Sequence, residues 1–415
     1  MTLIAAVDLG SSKVVALIAE VDAYGELNVI GFGRVNQDKA IERGTITKLE
    51  SALNAIQSAL REAQEMAGVR VSSVVIGISG PSLKSQNEKE LVHISTPPSK
   101  ITQMNIDRVI ERVLSRSRED SYEVISAIPR RYILDDQEVV YDPIGLMASK
   151  MQSEVHVIKS ASNPVRNIEN VLNGLGLEVR ERFASPIASA EATLSQEDKE
   201  EGVLLIDFGA GLTSYCVYLE GSPLLTGSIP IGGINITRDI GHFMKVNVEQ
   251  AERVKIEQGC ALAEAVKEDE EIAIIPRGET SPIKLARRKI AEVIQIRLEE
   301  IAEAVREELN KNKIDLETLH AGIVLTGGSA KISEIKTFAE RFFQTAVRVG
   351  LPDGFTGLRD RLRDPSYSTV IGLLKLARRK RIQASIAQQY DGKPAFQEKV
   401  SSFFARIKSV LREII

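Results

Sequence analysis

Two turns of matching design, one near the N-terminus and one at the middle of the chain, constrain this sequence more than anything else in it. The first, Asp8-Leu-Gly-Ser-Ser-Lys13, lies between the apolar runs Leu3–Val7 and Val14–Val21. The second, Asp207-Phe-Gly-Ala-Gly-Leu-Thr213, lies between Val203–Ile206 and Ser214–Leu219. Each reads as a β-hairpin whose first strand ends on an aspartate and whose tip contains glycine. One unit placed twice implies an internal duplication, hence two halves of one α/β architecture. The 415 residues agree, since domains run to about 100–200 residues each.

Between and beyond the turns the chain alternates strand and helix patterns. Leu27–Val35 reads as a strand. Residues 47–67 read as a helix with Leu49, Leu53, Ile56 and Leu60 on one face, and Val74–Ile78 as a buried strand. Residues 84–159 break the regularity, with Pro97-Pro98, polar strands and a short helix near 105–117, and read as an inserted subdomain. A helix at 163–174, a strand Glu178–Phe183 and a helix Pro186–Leu194 follow. After the second hairpin come Gly232-Gly233 leading into a helix, a long amphipathic helix over 283–311, and a strand ending in Thr326-Gly-Gly-Ser329. Helices at 333–343 and 366–380 precede a polar stretch that reads as a linker.

Phosphates need many N–H donors, and glycine or small residues in a tight turn let backbone amides come close. Gly10, Ser11, Ser12 and Lys13 form one such turn, and Gly209, Ala210, Gly211 and Thr213 a second. Gly327, Gly328 and Ser329, with Gly232 and Gly233, offer further openings. Asp8 and Asp207 stand where carboxylates hold a hydrated Mg²⁺ that accompanies a nucleotide. A single Asp-x-Gly turn is an ordinary hairpin tip; two matched copies plus a third glycine loop favour a phosphate clamp. The net charge of −4 gives no electrostatic support for nucleic acid, and two cysteines with four scattered histidines suggest no N/S metal site. The N-terminus lacks a signal-peptide pattern, and no apolar stretch approaches the roughly 20 residues of a membrane span, so the expectation is a cytoplasmic protein with at most peripheral membrane contact.

The order of these loops is similar to that of the actin-like ATPase superfamily. Pro129–Asp136, Asp142–Met147, Val155–Ile158, Ile323–Ala330 and Asp364–Leu374 further resemble the FtsA family of bacterial cell-division proteins. That resemblance implies an actin-like two-lobed α/β fold of duplicated ribonuclease-H-like domains with an FtsA-type 1C subdomain. It divides the chain into 1A (1–83, 160–190 and a closing helix 372–380), 1C (84–159), 2A (191–224 and 303–371), 2B (225–302), a linker (381–395) and a terminal helix (396–415). It implies ATP and Mg²⁺ in the interlobe cleft, held by Asp8, Gly10, Ser11, Ser12, Lys13, Asp207, Gly209, Ala210, Gly211, Thr213, Gly232, Gly233, Gly327, Gly328 and Ser329, with Arg288 near the adenine. It also implies self-association into protofilaments, contacts with anionic lipid and other division proteins, and docking of the FtsZ C-terminal peptide around Arg297. The site of action would be the cytoplasmic face of the membrane at the division plane. Leu212 and Ser214 replace a threonine and an aspartate usual in relatives, so hydrolysis is expected to be weak at most; Glu191 is the candidate base. A pilus-assembly ATPase and a small-molecule kinase of the same superfamily are the competing readings.

At about 100° per residue, Phe396, Val400, Phe403, Phe404, Ile407, Val410, Leu411, Ile414 and Ile415 fall within an arc of about 140°. Lys399 and Arg406 border one edge and Lys408 and Arg412 the other, placed to reach lipid phosphates. A helix docked on the protein's own core or on a coiled-coil partner is the competing reading. Four basic residues add roughly 1 kcal/mol each at an anionic surface, offset partly by Glu398 and Glu413, which strengthens apolar insertion without making it irreversible. Truncation after residue 395 is expected to abolish cosedimentation with anionic liposomes; undiminished binding would dismiss the lipid reading.

Overall fold

The computed structural model describes residues 2–22, 24–37 and 39–390. The amphipathic segment 396–415, with every residue assigned above to the membrane, lies outside the described residues. Among the described residues no helix is long and apolar enough to cross a membrane.

Two five-stranded sheets carry the molecule, and their strand orders are the same. In the first, Glu178–Ala184, Ser73–Ile78, Thr2–Leu9, Lys13–Val21 and Leu27–Asn36 lie side by side; in the second, Val347–Val349, Ile323–Thr326, Val203–Phe208, Thr213–Leu219 and Ser222–Ile229 do. Each sheet opens with an antiparallel hairpin, Thr2–Leu9 on Lys13–Val21 and Val203–Phe208 on Thr213–Leu219, and adds a parallel neighbour beside its first strand. The duplication read from the turns therefore extends to the whole sheet. Antiparallel neighbours need only a short turn, whereas the parallel additions need helical crossovers.

Two helices fill the space between the sheets. Ser185–Thr193 is buried all round apart from Glu191, and Ser368–Tyr390 packs along it. A single apolar core joins Ile76 and Ile187 of the first half to Leu205, Cys216 and Val324 of the second. The helices touch backbone to backbone, since a Cβ added at Gly372 would overlap the Ala188 carbonyl oxygen.

The inserted segment builds its own four-stranded sheet, in the order Glu138–Val140, Tyr122–Leu134, Lys150–Ala161 and Lys84–His93, covered by the helix Gln103–Arg116 around a small core of Val92, Ile106, Val113 and Met151.

Three local readings change. Helix Leu49–Ala67 buries Ala52, Ala55, Ile56, Ala59, Leu60 and Ala63, while Leu49 is exposed. The alanines are used because the helix lies directly on strand Leu27–Asn36, where a Cβ at Gly33 would overlap the Ala59 carbonyl. The long helix begins at Arg287, because Ile283–Ala286 is a strand paired with Glu271–Ile274. The last helix continues to Tyr390 through residues read as linker; the glutamines and alanines there are helix formers, and no breaker precedes Gly392.

Gly372→Ala raises helix propensity by about 1 kcal/mol but drives a methyl into a backbone carbonyl, at about 1–3 kcal/mol. Net destabilisation is expected in chemical denaturation; a more stable variant would rule out the close helix crossing.

Candidate functional site

The two turns meet. A Cβ on Gly211 would lie 2.5 Å from Ser11 Oγ and 2.8 Å from its Cβ, so the tip of the second hairpin has room only for hydrogen where it crosses the first. Asp8 and Asp207 head these turns from equivalent strand ends, opposite Val15 and Ser214. The third glycine loop arrives by register: Thr326 is the parallel partner of Asp207, so the next residue, Gly327, turns away directly over the carboxylate. It does so at φ 88°, and a Cβ there would overlap Asp207 Oδ1. Gly233 N donates to Gly209 O at 3.0 Å and Ile234 N to Ala210 O at 2.8 Å, which sets the start of helix Gly233–Met244 against the second turn. Ser329 Oγ reaches Gly209 O at 3.5 Å. The structure thus brings Ser11, Gly209, Ala210, Gly211, Gly232, Gly233, Gly327 and Ser329 to one surface around two carboxylates.

Several polar residues hold this surface. Gln37 Nε2 donates to Gly10 O at 3.2 Å and Ser11 O at 2.6 Å. Ser189 and Thr369 hydroxyls donate to Asp207 Oδ2 at 2.5 and 3.2 Å. Thr213 Oγ1 donates to Ile231 O at 2.8 Å, so its hydroxyl braces the hairpin from inside. Lys255, buried, donates to Gly233 O at 3.1 Å, Thr237 Oγ1 at 2.9 Å and Glu252 Oε2 at 2.6 Å. Gln37, Ser189, Thr369, Glu252 and Lys255 carry no motif in the sequence; the Glu-x-x-Lys spacing of the last two, on one helix face, is the only local signal among them.

Burial, and then the neighbouring Asp207 carboxylate, raise the Asp8 pKa to about 6, against a smaller opposing pull from Lys13. Burial likewise raises Asp207, while the hydroxyls of Ser189 and Thr369 act in the other direction. Burial, and next Arg34, lower Lys13 to about 8; its Nζ donates to Ser366 Oγ at 2.8 Å and lies 4.2 Å from the Tyr367 ring centroid. Two desolvated carboxylates with one lysine leave an excess of negative charge that suits a divalent cation. No group of three or more potential metal ligands occurs among the described residues, and two carboxylates are what a Mg²⁺ that keeps its waters takes from protein.

Three candidate residues lie elsewhere. Glu191 is caged by Lys199 at 3.0 Å and Arg379 at 3.3 Å. Burial works to raise its pKa, but Lys199, Arg379 and Lys375 together hold it down near 2; a carboxylate so held is a poor proton acceptor. Arg288 pairs with Glu268 at 3.3 Å. Arg297 forks onto Asp239 at 2.6 and 3.0 Å and also pairs with Glu300.

A family model described as cell division protein FtsA matches residues 204–372, and one described as an SHS2 domain inserted in FtsA matches residues 80–159. The chain is 36% identical over 372 residues to the cell division protein FtsA of Pseudomonas aeruginosa, covering 90% of this chain and 88% of that one. Among solved structures, a PilM-PilN type IV pilus biogenesis complex superposes with a TM-score of 0.63 at 16% identity over 90% of this chain and 98% of that one. MreB5 of Spiroplasma citri bound to ADP superposes with a TM-score of 0.54 at 16% identity, over 93% and 99%. At such identities these two show the fold alone, and it is the actin-like one.

Because folded Asp8 holds its proton up to about pH 6 while an unfolded aspartate releases it near 3.8, stability is lost as pH rises between these values and stays lost above them, at about 1.4 kcal/mol per unit of difference. Asp8→Asn is expected to raise the ligand-free melting temperature more at roughly pH 7.5 than at roughly pH 5. An equal change at both would contradict the desolvated carboxylate.

Proposed function

We infer the function from one premise: the chain belongs to the FtsA family of cell division proteins, and its role is in bacterial cell division. Within that role we propose that it binds Mg-ATP between its lobes, self-associates into actin-like protofilaments, and tethers FtsZ filaments to the cytoplasmic face of the membrane at the division site. The observation that carries the nucleotide reading is the contact of two carboxylate-headed turns, Ser11 against Gly211. The amides of Gly10–Lys13 and Gly209–Thr213 would take the phosphates from opposite sides, with Lys13 turning from Ser366 to share their charge. Mg²⁺, held through water by Asp8 and Asp207, would supply the charge neutralisation that the phosphates need. Gly232, Gly233 and Gly327–Ser329 would approach the nucleoside, with Lys255 and Glu252 beside them. The exposed Arg288 is a weaker candidate for the adenine.

The domain boundaries stated from the sequence stand as part of this proposal, with 84–159 as 1C and 225–302 as 2B. An acidic peptide from FtsZ docking at Arg297 would compete with Asp239 and Glu300, so its affinity would owe more to apolar contact, such as with the exposed Ile296, than to that arginine. Segment 396–415 would supply the membrane contact, and polymerisation would multiply a weak attachment into a strong one. The pilus-assembly reading has only the shared fold behind it, at 16% identity.

Calorimetric titration with Mg-ATP tests the premise of the cleft. Asp207→Asn is expected to weaken binding at least about tenfold, the equivalent of 1.4 kcal/mol. An unaltered affinity in that variant, or no heat from the wild type, would sink the reading.

A further inference from the structure

Next to the paired turns sits a residue that the nucleotide reading does not use. Strands Ile41–Glu42 and Thr45–Ile46 pair across a two-residue loop, Ile41 with Ile46 and Glu42 with Thr45. The loop is Arg43-Gly44, with φ of 52° and 74°. Two-residue hairpins of this hand favour asparagine or aspartate followed by glycine, because both central residues must take positive φ. An arginine at the first position is disfavoured there, and residues held in such conformations cluster at functional sites.

The hairpin is fixed to the phosphate turns rather than left free over them. Arg43 N donates to Ser11 Oγ at 3.0 Å. Gln37 joins the two structures: its Nε2 donates to Ser11 O at 2.6 Å and to Ile41 O at 2.7 Å, while its Oε1 accepts from Ala40 N at 2.6 Å and Ile41 N at 3.0 Å. The stem of Arg43 also reaches the second turn, since Cγ lies 3.5 Å from where a Gly211 Cβ would be. Arg43 therefore spans the seam where Ser11 and Gly211 meet. Its side chain is exposed, and among the described residues its guanidinium makes no ion pair or hydrogen bond. An arginine free of carboxylate partners, mounted on a braced tip above a phosphate clamp, presents a planar fork of N–H donors matched to phosphate oxygens.

We propose that Arg43 is the residue by which the cleft distinguishes a nucleoside triphosphate from a diphosphate, its guanidinium covering the terminal phosphate at the seam between the two turns. This rests on the Mg-nucleotide reading above. The backbone amides of the turns are available to either nucleotide, whereas a cation at the outer rim gains only from the phosphate that the diphosphate lacks. Arg43 is then a specificity-determining residue whose loss alters the ratio of two affinities more than the affinity for the shared part.

The test titrates wild type, Arg43→Asn and Arg43→Lys with Mg-ATP and Mg-ADP by calorimetry. Asparagine suits the turn better than arginine, so Arg43→Asn is expected to keep or raise the melting temperature, which separates loss of the cation from loss of the hairpin. Its Mg-ATP affinity should fall at least tenfold while Mg-ADP affinity changes less than twofold, and Arg43→Lys should fall between, keeping the charge but not the fork. Equal weakening of both nucleotides, or an unchanged ratio in Arg43→Asn, overturns the proposal and leaves the cleft reading standing. A wild type that binds neither nucleotide overturns both.

Discussion

Enclosing the Asp207 carboxylate where the two lobes meet is the constraint on which the rest of the arrangement depends. A desolvated carboxylate costs several kcal/mol unless donors offset the loss of water. The donors come from the two interlobe helices, Ser189 from Ser185–Thr193 and Thr369 from Ser368–Tyr390, and the two hydroxyls are 3.0 Å from each other. Gly327 leaves the carboxylate room by having no side chain. One charged group thus ties together four separate segments, two from each side of a long stretch of chain. Sliding either helix would strip the donors from a half-buried carboxylate, so the position of the helices and the geometry of the paired turns are set by the same contacts.

The excess of negative charge that remains is a cost to the protein without its ligand. Asp8 and Asp207 repel one another in a desolvated space, and Lys13, itself pushed down to about 8, supplies one positive charge drawn partly toward Ser366 and Tyr367. A core designed only for stability would replace such a group with well-packed apolar side chains. Uncompensated charge in a braced site is what strongly perturbed groups at binding clefts have in common.

The turns were legible in the sequence because their chemistry is local: a carboxylate at a strand end and glycine within three residues identify themselves without knowledge of the fold. Their duplication was legible for the same reason; the strand order, which the turns leave open, is the same in both halves. Gln37, Ser189 and Thr369 were not, because each is an ordinary polar residue whose partner in the site lies elsewhere in the chain, Thr369 being 162 positions from Asp207; Lys255 shows its spacing to Glu252 but not its reach to Gly233 O. The helix Leu49–Ala67 is located by periodicity, and Leu53, Ile56 and Leu60 do lie against the core; what periodicity misses is that Leu49 is exposed and that alanines fill most of the buried face. Leucines outweigh alanines on any hydropathy scale, yet a helix pressed onto a strand backbone selects small side chains. Arg43 gave no signal at all, since the φ angles of its turn and its contacts with Ser11 and Gly211 exist only in the folded chain.

The insertion is chemically part of the first lobe but is fastened to the second. Its buried His156 sets Nδ1 2.8 Å from Asn87 Oδ1 and Nε2 2.9 Å from Thr226 Oγ1, and Ser85 Oγ accepts from Thr226 N at 2.8 Å. A neutral imidazole suits that seam, with one N–H for the amide oxygen and one lone pair for the hydroxyl. Burial first, and the Arg130 charge after it, push its pKa to about 3, so the ring stays neutral. Thr226 belongs to Ser222–Ile229, the last strand of the second sheet, whose outer edge would otherwise stand open to pairing. The insertion covers that edge and links the lobes in one contact. It is held to the first lobe as well, by Ile125 and Ile158 in that lobe's core and by the pairing of Glu123 with Arg182 at 2.7 Å, so a change in the spacing of Ser11 and Gly211 works against contacts on both sides of the insertion.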